Sequence, residues 1–228
     1  MKRYNVVLID LDDTLLNTAS DERNAVESVF KKHGLPFGED IAEIFFQKAD
    51  WQTYTLGEYN AKTEFTNKFV QLLDNIGIKE NRSQMVDEYF DIMQSSKTVT
   101  PDAKRVLNTL RKRGYRVYLT ANGYSAFQRK RIELAGLTKY FDGIFISEEM
   151  DYRKPCKAYY DYVMHRIPES NISKVLVVGD AQSTDILGAK NARIDSCWYN
   201  PKHKNPKYKS TYEIDDIKQL LLLLEKKQ

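Results

Sequence analysis

Five short apolar runs, none of them alternating with polar residues, limit the folds open to this chain. They are Tyr4 to Ile9, Tyr115 to Leu119, Gly143 to Ile146, Lys174 to Val178 and Ile194 to Trp198. A strand with one wet face alternates in polarity, so an unbroken run implies a strand covered on both faces. Helical patterns lie between the runs. Pro101 opens one that ends near Gly114, Ser125 one that ends near Gly136, Pro155 opens a third, and Ser183 to Ala192 forms a fourth. Strand and helix taking turns, joined by right-handed crossovers, predict an α/β fold with a doubly wound, Rossmann-like parallel sheet. Ligands of such sheets bind beyond the carboxyl ends of the strands.

The stretch from Thr18 to Ser96 breaks this rhythm. It holds no convincing strand, and its apolar residues recur at helical spacing: Ala25, Val29 and Phe30, then Phe65, Phe69, Leu72 and Leu73. The expected organisation is therefore an α/β core from residues 1–17 and 97–228, with residues 18–96 inserted as an all-helical cap. A 228-residue chain with 42% apolar and 12% aromatic residues has the material for both. A net charge of only +3 gives no reason to invoke nucleic acid. No segment is expected to span a bilayer. The leucines Leu220 to Leu224 fall well short of the roughly 20 residues a span requires and read as one end of a buried terminal helix. The run behind Met1-Lys2-Arg3 is too short for a signal peptide, and Cys156 and Cys197 match no ligand spacing, so a cytoplasmic protein with reduced thiols is expected. Lys202 to Lys209, broken by Pro206, reads as a solvated loop.

The first run ends abruptly in charge: "VVLIDLDDTL", with Asp10, Asp12 and Asp13 at the edge of what must be core. Like charges crowded there are costly unless positive charge sits among them. In extended backbone, Asp10 and Asp12 face the same way about 7 Å apart, room enough for a phosphorus atom and a leaving oxygen. Asp10 can attack phosphorus to form an aspartyl phosphate, while Asp12 protonates the departing alkoxide and later activates water, which requires Asp12 to titrate nearer neutrality than Asp10. A second cluster, "VVGDAQSTD", brings Asp180 to the same edge after the tight turn at Gly179 and sets Asp185 in the next helical turn. So oxygen-rich and negative a hollow suits Mg²⁺, bridging Asp10, Asp180 and a phosphate oxygen, with the carbonyl of Asp12 and waters completing the shell. Lys154, just before Pro155, can hold the phosphate and offset developing charge.

These residues resemble the haloacid dehalogenase superfamily of phosphohydrolases: D-x-D-x-T-L, then a polar strand end, then K-P, then G-D-x-x-x-x-D, in order and on the expected elements. The resemblance implies a nucleophile at Asp10, an acid/base at Asp12, phosphate contacts from Lys154, and Mg²⁺ held by Asp10 and Asp180 with Asp185 in support. A nearer likeness is to the bacterial pyrimidine 5'-nucleotidases, carried by "LTANGYSAFQRKRIELAGLTKYFDGIFISEEMDYRKP" and "GDAQSTDILGAKNARIDSCWYNP". Trp51, Gly57-Glu58 and Lys68-Phe69 keep that subgroup's spacing in the insertion, with Lys68 where Arg is expected. The resemblance thus implies a small phosphorylated substrate, a nucleoside 5'-monophosphate, with Trp51 as a candidate base contact. The other insertion aromatics, Phe45, Phe46, Tyr54 and Tyr59, are expected to fill its core.

One departure stands in the second motif. Relatives place Thr or Ser directly before Asn-Gly, whereas here the order is Thr120-Ala121-Asn122-Gly123. Strand side chains alternate, so a hydroxyl one residue early points to the other face unless a bulge re-aims it. The phosphate otherwise loses one donor, with the backbone N–H groups of Asn122 and Gly123 as partial substitutes. The same four motifs also serve sugar-phosphate phosphatases and phosphomutases, and Ala121 leaves open a degenerate, non-catalytic binding protein on this scaffold.

Overall fold

A computed structural model describes residues 4–47 and 61–225, with the side chains of residues 47 and 61–65 excepted. The chain divides into two compact units, Met1–Asn17 with Val99–Gln228, and Thr18–Thr98.

The first unit is built on a six-stranded, wholly parallel sheet. Its strands are β1 (Val6–Ile9), β2 (Arg116–Ala121), β3 (Gly143–Ile146), β4 (Val175–Gly179), β5 (Asp195–Tyr199) and β6 (Tyr212–Ile214), in the order β3-β2-β1-β4-β5-β6. The five expected strands are present, and β6 is an addition. It is three residues long, lies at the sheet edge and buries only Ile214 fully, so it carries no continuous apolar run to be recognised by.

Alternation sorts β1 between the two faces. Val7 and Ile9 join one core cluster, Val6 and Leu8 the other. The helical unit contributes α1 (Thr18–Lys32), α2 (Glu39–Gln47), α3 (Ala61–Asn75) and α4 (Arg82–Gln94), and the α/β unit continues with α5 (Ala103–Lys112), α6 (Ser125–Leu134), α7 (Lys157–Arg166), α8 (Leu187–Ala192) and α9 (Gln219–Leu223). Residues of α5 and α9, with Ile132 of α6, cover the first face; Tyr159, Tyr160 and Val163 of α7 and Ala189 of α8 cover the second. Of the terminal leucines, Leu220, Leu221 and Leu224 are buried, but Leu222 is exposed, because a short amphipathic helix at the surface keeps one face wet. Residues 202–207 are exposed, as a solvated loop should be.

β1 occupies the centre, flanked by β2 and β4, and the chain reverses its direction of travel across the sheet between β1 and β4. Open α/β sheets bind ligands at that point, outside the carboxyl ends of the strands. The three strands ending there deliver Asp10, the segment Thr120–Gly123, and Asp180.

The described residues of the helical unit contain no strand. Its core is drawn from all four helices, with Val26 and Phe30, Phe45, Phe69 and Leu73, and Met85, Tyr89 and Met93 among the buried side chains. Phe69 stacks on Tyr89, ring centroids 4.6 Å apart. Phe45 is part of this filling, while Phe46 is partly exposed. Lys68 turns inward. Its ammonium lies 2.5 Å from the Glu22 carboxylate and over the rings of Phe45 and Phe46, at 4.1 and 4.3 Å. Trp51, Tyr54, Gly57, Glu58 and Tyr59 lie outside the described residues.

Candidate active site

Asp10 is the first residue past β1, anchored by its N–H to the carbonyl of Val178, 2.9 Å away on β4. Its buried carboxylate meets Lys154, whose Nζ lies 2.6 Å from Asp10 Oδ1 and 2.6 Å from Asp185 Oδ1, and also donates to the Thr120 carbonyl at 3.1 Å. The ammonium, 2% exposed, has its donors spent on three acceptors from three chain segments. With two carboxylates beside it, it is held well above the ordinary lysine range despite its burial.

Negative charge exceeds positive at this edge. Asp10, Asp180 and Asp185 each offer a carboxylate oxygen, all within 4.8 Å of one another. Burial, with Asp185 adjacent, pushes the Asp10 carboxyl up to about 8 against the pull of Lys154. Burial together with Asp10, Asp13 and Asp185 holds Asp180 well above the carboxylate range. Thr14 shares a hydrogen bond of 3.3 Å with Asp180, and its Oγ1 accepts the Asp180 N–H at 3.1 Å. Three all-oxygen ligands crowded at this cost fit a hard divalent cation, whose charge would offset the repulsion.

Asp185 reaches Lys154 because the chain beside it is bare. A Cβ at Gly179 would lie 2.3 Å from the Asp185 carboxyl, so glycine serves here for close approach. The other carboxylate oxygen of Asp185 accepts the Ala181 N–H at 3.1 Å, across a wide turn at Gln182–Ile186 that feeds α8.

β1 ends at Ile9, and the residue after Asp12, Asp13, turns with φ +55°. The Asp12 carboxylate lies against α6, bonded through Oδ1 to Arg131 at 2.6 Å and through Oδ2 to Gln128 at 2.7 Å. Asp10 is buried beside Asp185, while Asp12 has an arginine against its carboxylate. Neither Gln128 nor Arg131 stood out in the sequence. A signal was there: Phe127, Gln128, Arg131 and Ile132 share the buried stripe of α6, and two polar residues in such a stripe require a polar partner.

The second motif runs in unbroken register, Thr120 opposite Phe145 and Ala121 opposite Ile146. The Thr120 hydroxyl is buried with no hydrogen-bond partner, and Ala121 is fully buried. Asn122 clasps the backbone of Lys154, accepting its N–H at 2.9 Å and donating to its carbonyl at 3.0 Å. Gly123 cannot stand in for a missing phosphate donor, because its N–H is committed to Ser147 Oγ at 2.9 Å.

A buried lysine bridging carboxylates at the switch point of a parallel sheet is a candidate site for chemistry on an anionic group. The family model for haloacid dehalogenase-like hydrolases matches residues 4–193, and the chain belongs to that family. It is 31% identical to the pyrimidine 5'-nucleotidase PynA of Streptococcus pneumoniae, over 98% of this chain and 96% of that one. It is 28% identical to the pyrimidine 5'-nucleotidase YjjG of Escherichia coli, over 89% and 88%. Among solved structures, the magnesium-bound HAD-hydrolase YfnB of Bacillus subtilis superposes with a TM-score of 0.87 at 29% identity, covering 98% of this chain and 99% of that one. No helix among the described residues is long and apolar enough to cross a membrane.

Proposed function

We propose that this hydrolase is a Mg²⁺-dependent phosphomonoesterase that releases phosphate from nucleoside 5'-monophosphates, pyrimidine nucleotides foremost. The observation that carries the reading is the Asp10 carboxylate at the end of β1, bonded to Lys154 with Asp180 and Asp185 around it. The relatives named above, two of them pyrimidine 5'-nucleotidases, support the substrate class. The helical unit, inserted directly after the first motif, is in this reading the substrate-selecting cap.

An oxygen of Asp10 attacks phosphorus, the bond from phosphorus to the 5' oxygen breaks, and Asp12 gives that oxygen its proton. The product is a nucleoside and phospho-Asp10. Asp12 then takes a proton from water, the resulting hydroxide adds to phosphorus, and the bond to Asp10 breaks to release inorganic phosphate and restore both carboxyl groups. Lys154 keeps a positive charge beside the phosphoryl oxygens throughout. Asp10, Asp180 and Asp185, with the carbonyl of Asp12, would hold the magnesium ion, which when bound neutralises carboxylate charge and polarises the phosphoryl group.

The test is a phosphate-release screen over nucleoside monophosphates and sugar phosphates with magnesium, run beside Asp10→Asn. Release strongest on pyrimidine monophosphates, and almost none from the variant, is expected. Equal rates from the two proteins would remove Asp10 as nucleophile, and a preference for sugar phosphates would remove the nucleotide assignment.

A further inference from the structure

We infer that Arg131 and Gln128 are positioning residues, which fix the Asp12 carboxyl in the orientation from which it gives and recovers the proton. This rests on the reading of Asp12 as acid/base given above.

Asp12 lies past the end of β1. Both of its carboxylate oxygens are held by α6. Arg131 is fully buried, and its Nη1 reaches both Asp12 Oδ1 at 2.6 Å and Gln128 Oε1 at 3.0 Å. Gln128 is equally buried and completes a ring, donating through Nε2 to Asp12 Oδ2 at 2.7 Å and to the Asn122 carbonyl at 3.1 Å. With a donor fixed on its oxygen side and a carbonyl on its nitrogen side, the amide cannot turn over without losing bonds. Each Asp12 oxygen therefore accepts one hydrogen bond from α6. Rotation of the carboxyl would break both bonds at once.

Stability alone does not account for this ring. Burying a guanidinium is expensive, and replacing a buried ionic cluster by apolar side chains of similar volume is often neutral or stabilising. The neighbouring buried positions of α6, Phe127 and Ile132, are apolar already. What the ring adds is a fixed direction for a carboxyl that must meet the leaving oxygen in the first half-reaction and a water in the second. Misplacing such a group by about 1 Å can slow a reaction by 10²-fold.

The dependence on leaving group separates positioning from mere structure. A 5' alkoxide needs the proton from Asp12 as the phosphorus–oxygen bond breaks; 4-nitrophenolate leaves without one. Arg131→Met, Arg131→Lys, Gln128→Ala and Asp12→Asn would be compared with wild type on cytidine 5'-monophosphate and on 4-nitrophenyl phosphate. The rate of enzyme phosphorylation is read from single-turnover nucleoside release and from the nitrophenolate burst, and thermal melting reports folding. On the nucleotide, Arg131→Met should slow phosphorylation by about 100-fold and Gln128→Ala by about tenfold with little change in KM, and Arg131→Lys should recover part of the loss. On the nitrophenyl ester the same variants should stay within about threefold of wild type. Equal losses on both substrates, or none on the nucleotide, would overturn the inference. If Arg131→Met does not fold, Gln128→Ala, which leaves Arg131 paired, decides it alone. A wild-type protein inactive on every phosphomonoester, or an Asp12→Asn variant as fast as wild type on the nucleotide, would instead sink the function proposed above.

Discussion

Two lysines, one partly and one fully buried, show how differently the two units of this molecule handle charge. In the helical unit, Lys68 meets one carboxylate, Glu22, and finishes its surroundings with the faces of Phe45 and Phe46. In the α/β unit, Lys154 meets two, Asp10 and Asp185, with Asp180 close by as a third. The first arrangement is balanced, and balance of this kind serves packing. The second is in deficit by design of the chain, since acidic residues from β1, from the end of β4 and from the turn after it all arrive at one point. A deficit held inside a folded protein marks the place where an outside cation and an anionic group belong.

The contrast breaks most visibly at Lys154. Lys154→Met should lower turnover roughly 10³-fold on the preferred nucleotide, measured as phosphate release beside a thermal melt; a loss under about tenfold would mean that its charge is not used on the phosphoryl group. Next in size is Lys68→Met, which takes the ammonium away from the Glu22 carboxylate and should reduce unfolding free energy by about 1–2 kcal/mol. Chemical denaturation checks this, and adding Glu22→Leu should return most of the loss; failure to do so would show that the pair is not balanced in the sense argued. The smallest effect belongs to Thr120→Val. Because the Thr120 hydroxyl has no hydrogen-bond partner in the protein, removing it should leave stability unchanged or raise it by up to about 1 kcal/mol, while turnover falls about tenfold if it serves the substrate's phosphate. Undiminished turnover would clear that hydroxyl of any part in the reaction.

Most of the fold was legible because the sheet is buried on both faces, and that condition writes itself as unbroken apolar runs. β6 escaped, since an edge strand of three residues leaves too little pattern. The carboxylates were legible for the opposite reason: charge at the end of an apolar run is conspicuous. Arg131 was hidden in "FQRKRIEL" among Arg129 and Lys130, where composition reads as a wet helix and only the spacing against Phe127 and Ile132 tells which base points in. The commitment of the Gly123 N–H to Ser147 was beyond reach, as it joins ends of two strands whose side-chain directions emerge only once the sheet is assembled. The bonds that hold the Asp12 carboxylate were equally out of reach, since Arg131 and Gln128 come to it from a helix far along the chain.

A methyl group at position 179 would collide with the very carboxyl that shares Lys154 with Asp10. A position this unforgiving, beside the buried lysine and its carboxylates, bears no functional group at all. An inventory of acids, bases and ligands passes over it, yet replacing that hydrogen would force Asp185 aside and pull one anchor from the lysine. Anyone transplanting these carboxylates onto another scaffold would have to carry the empty space along with them.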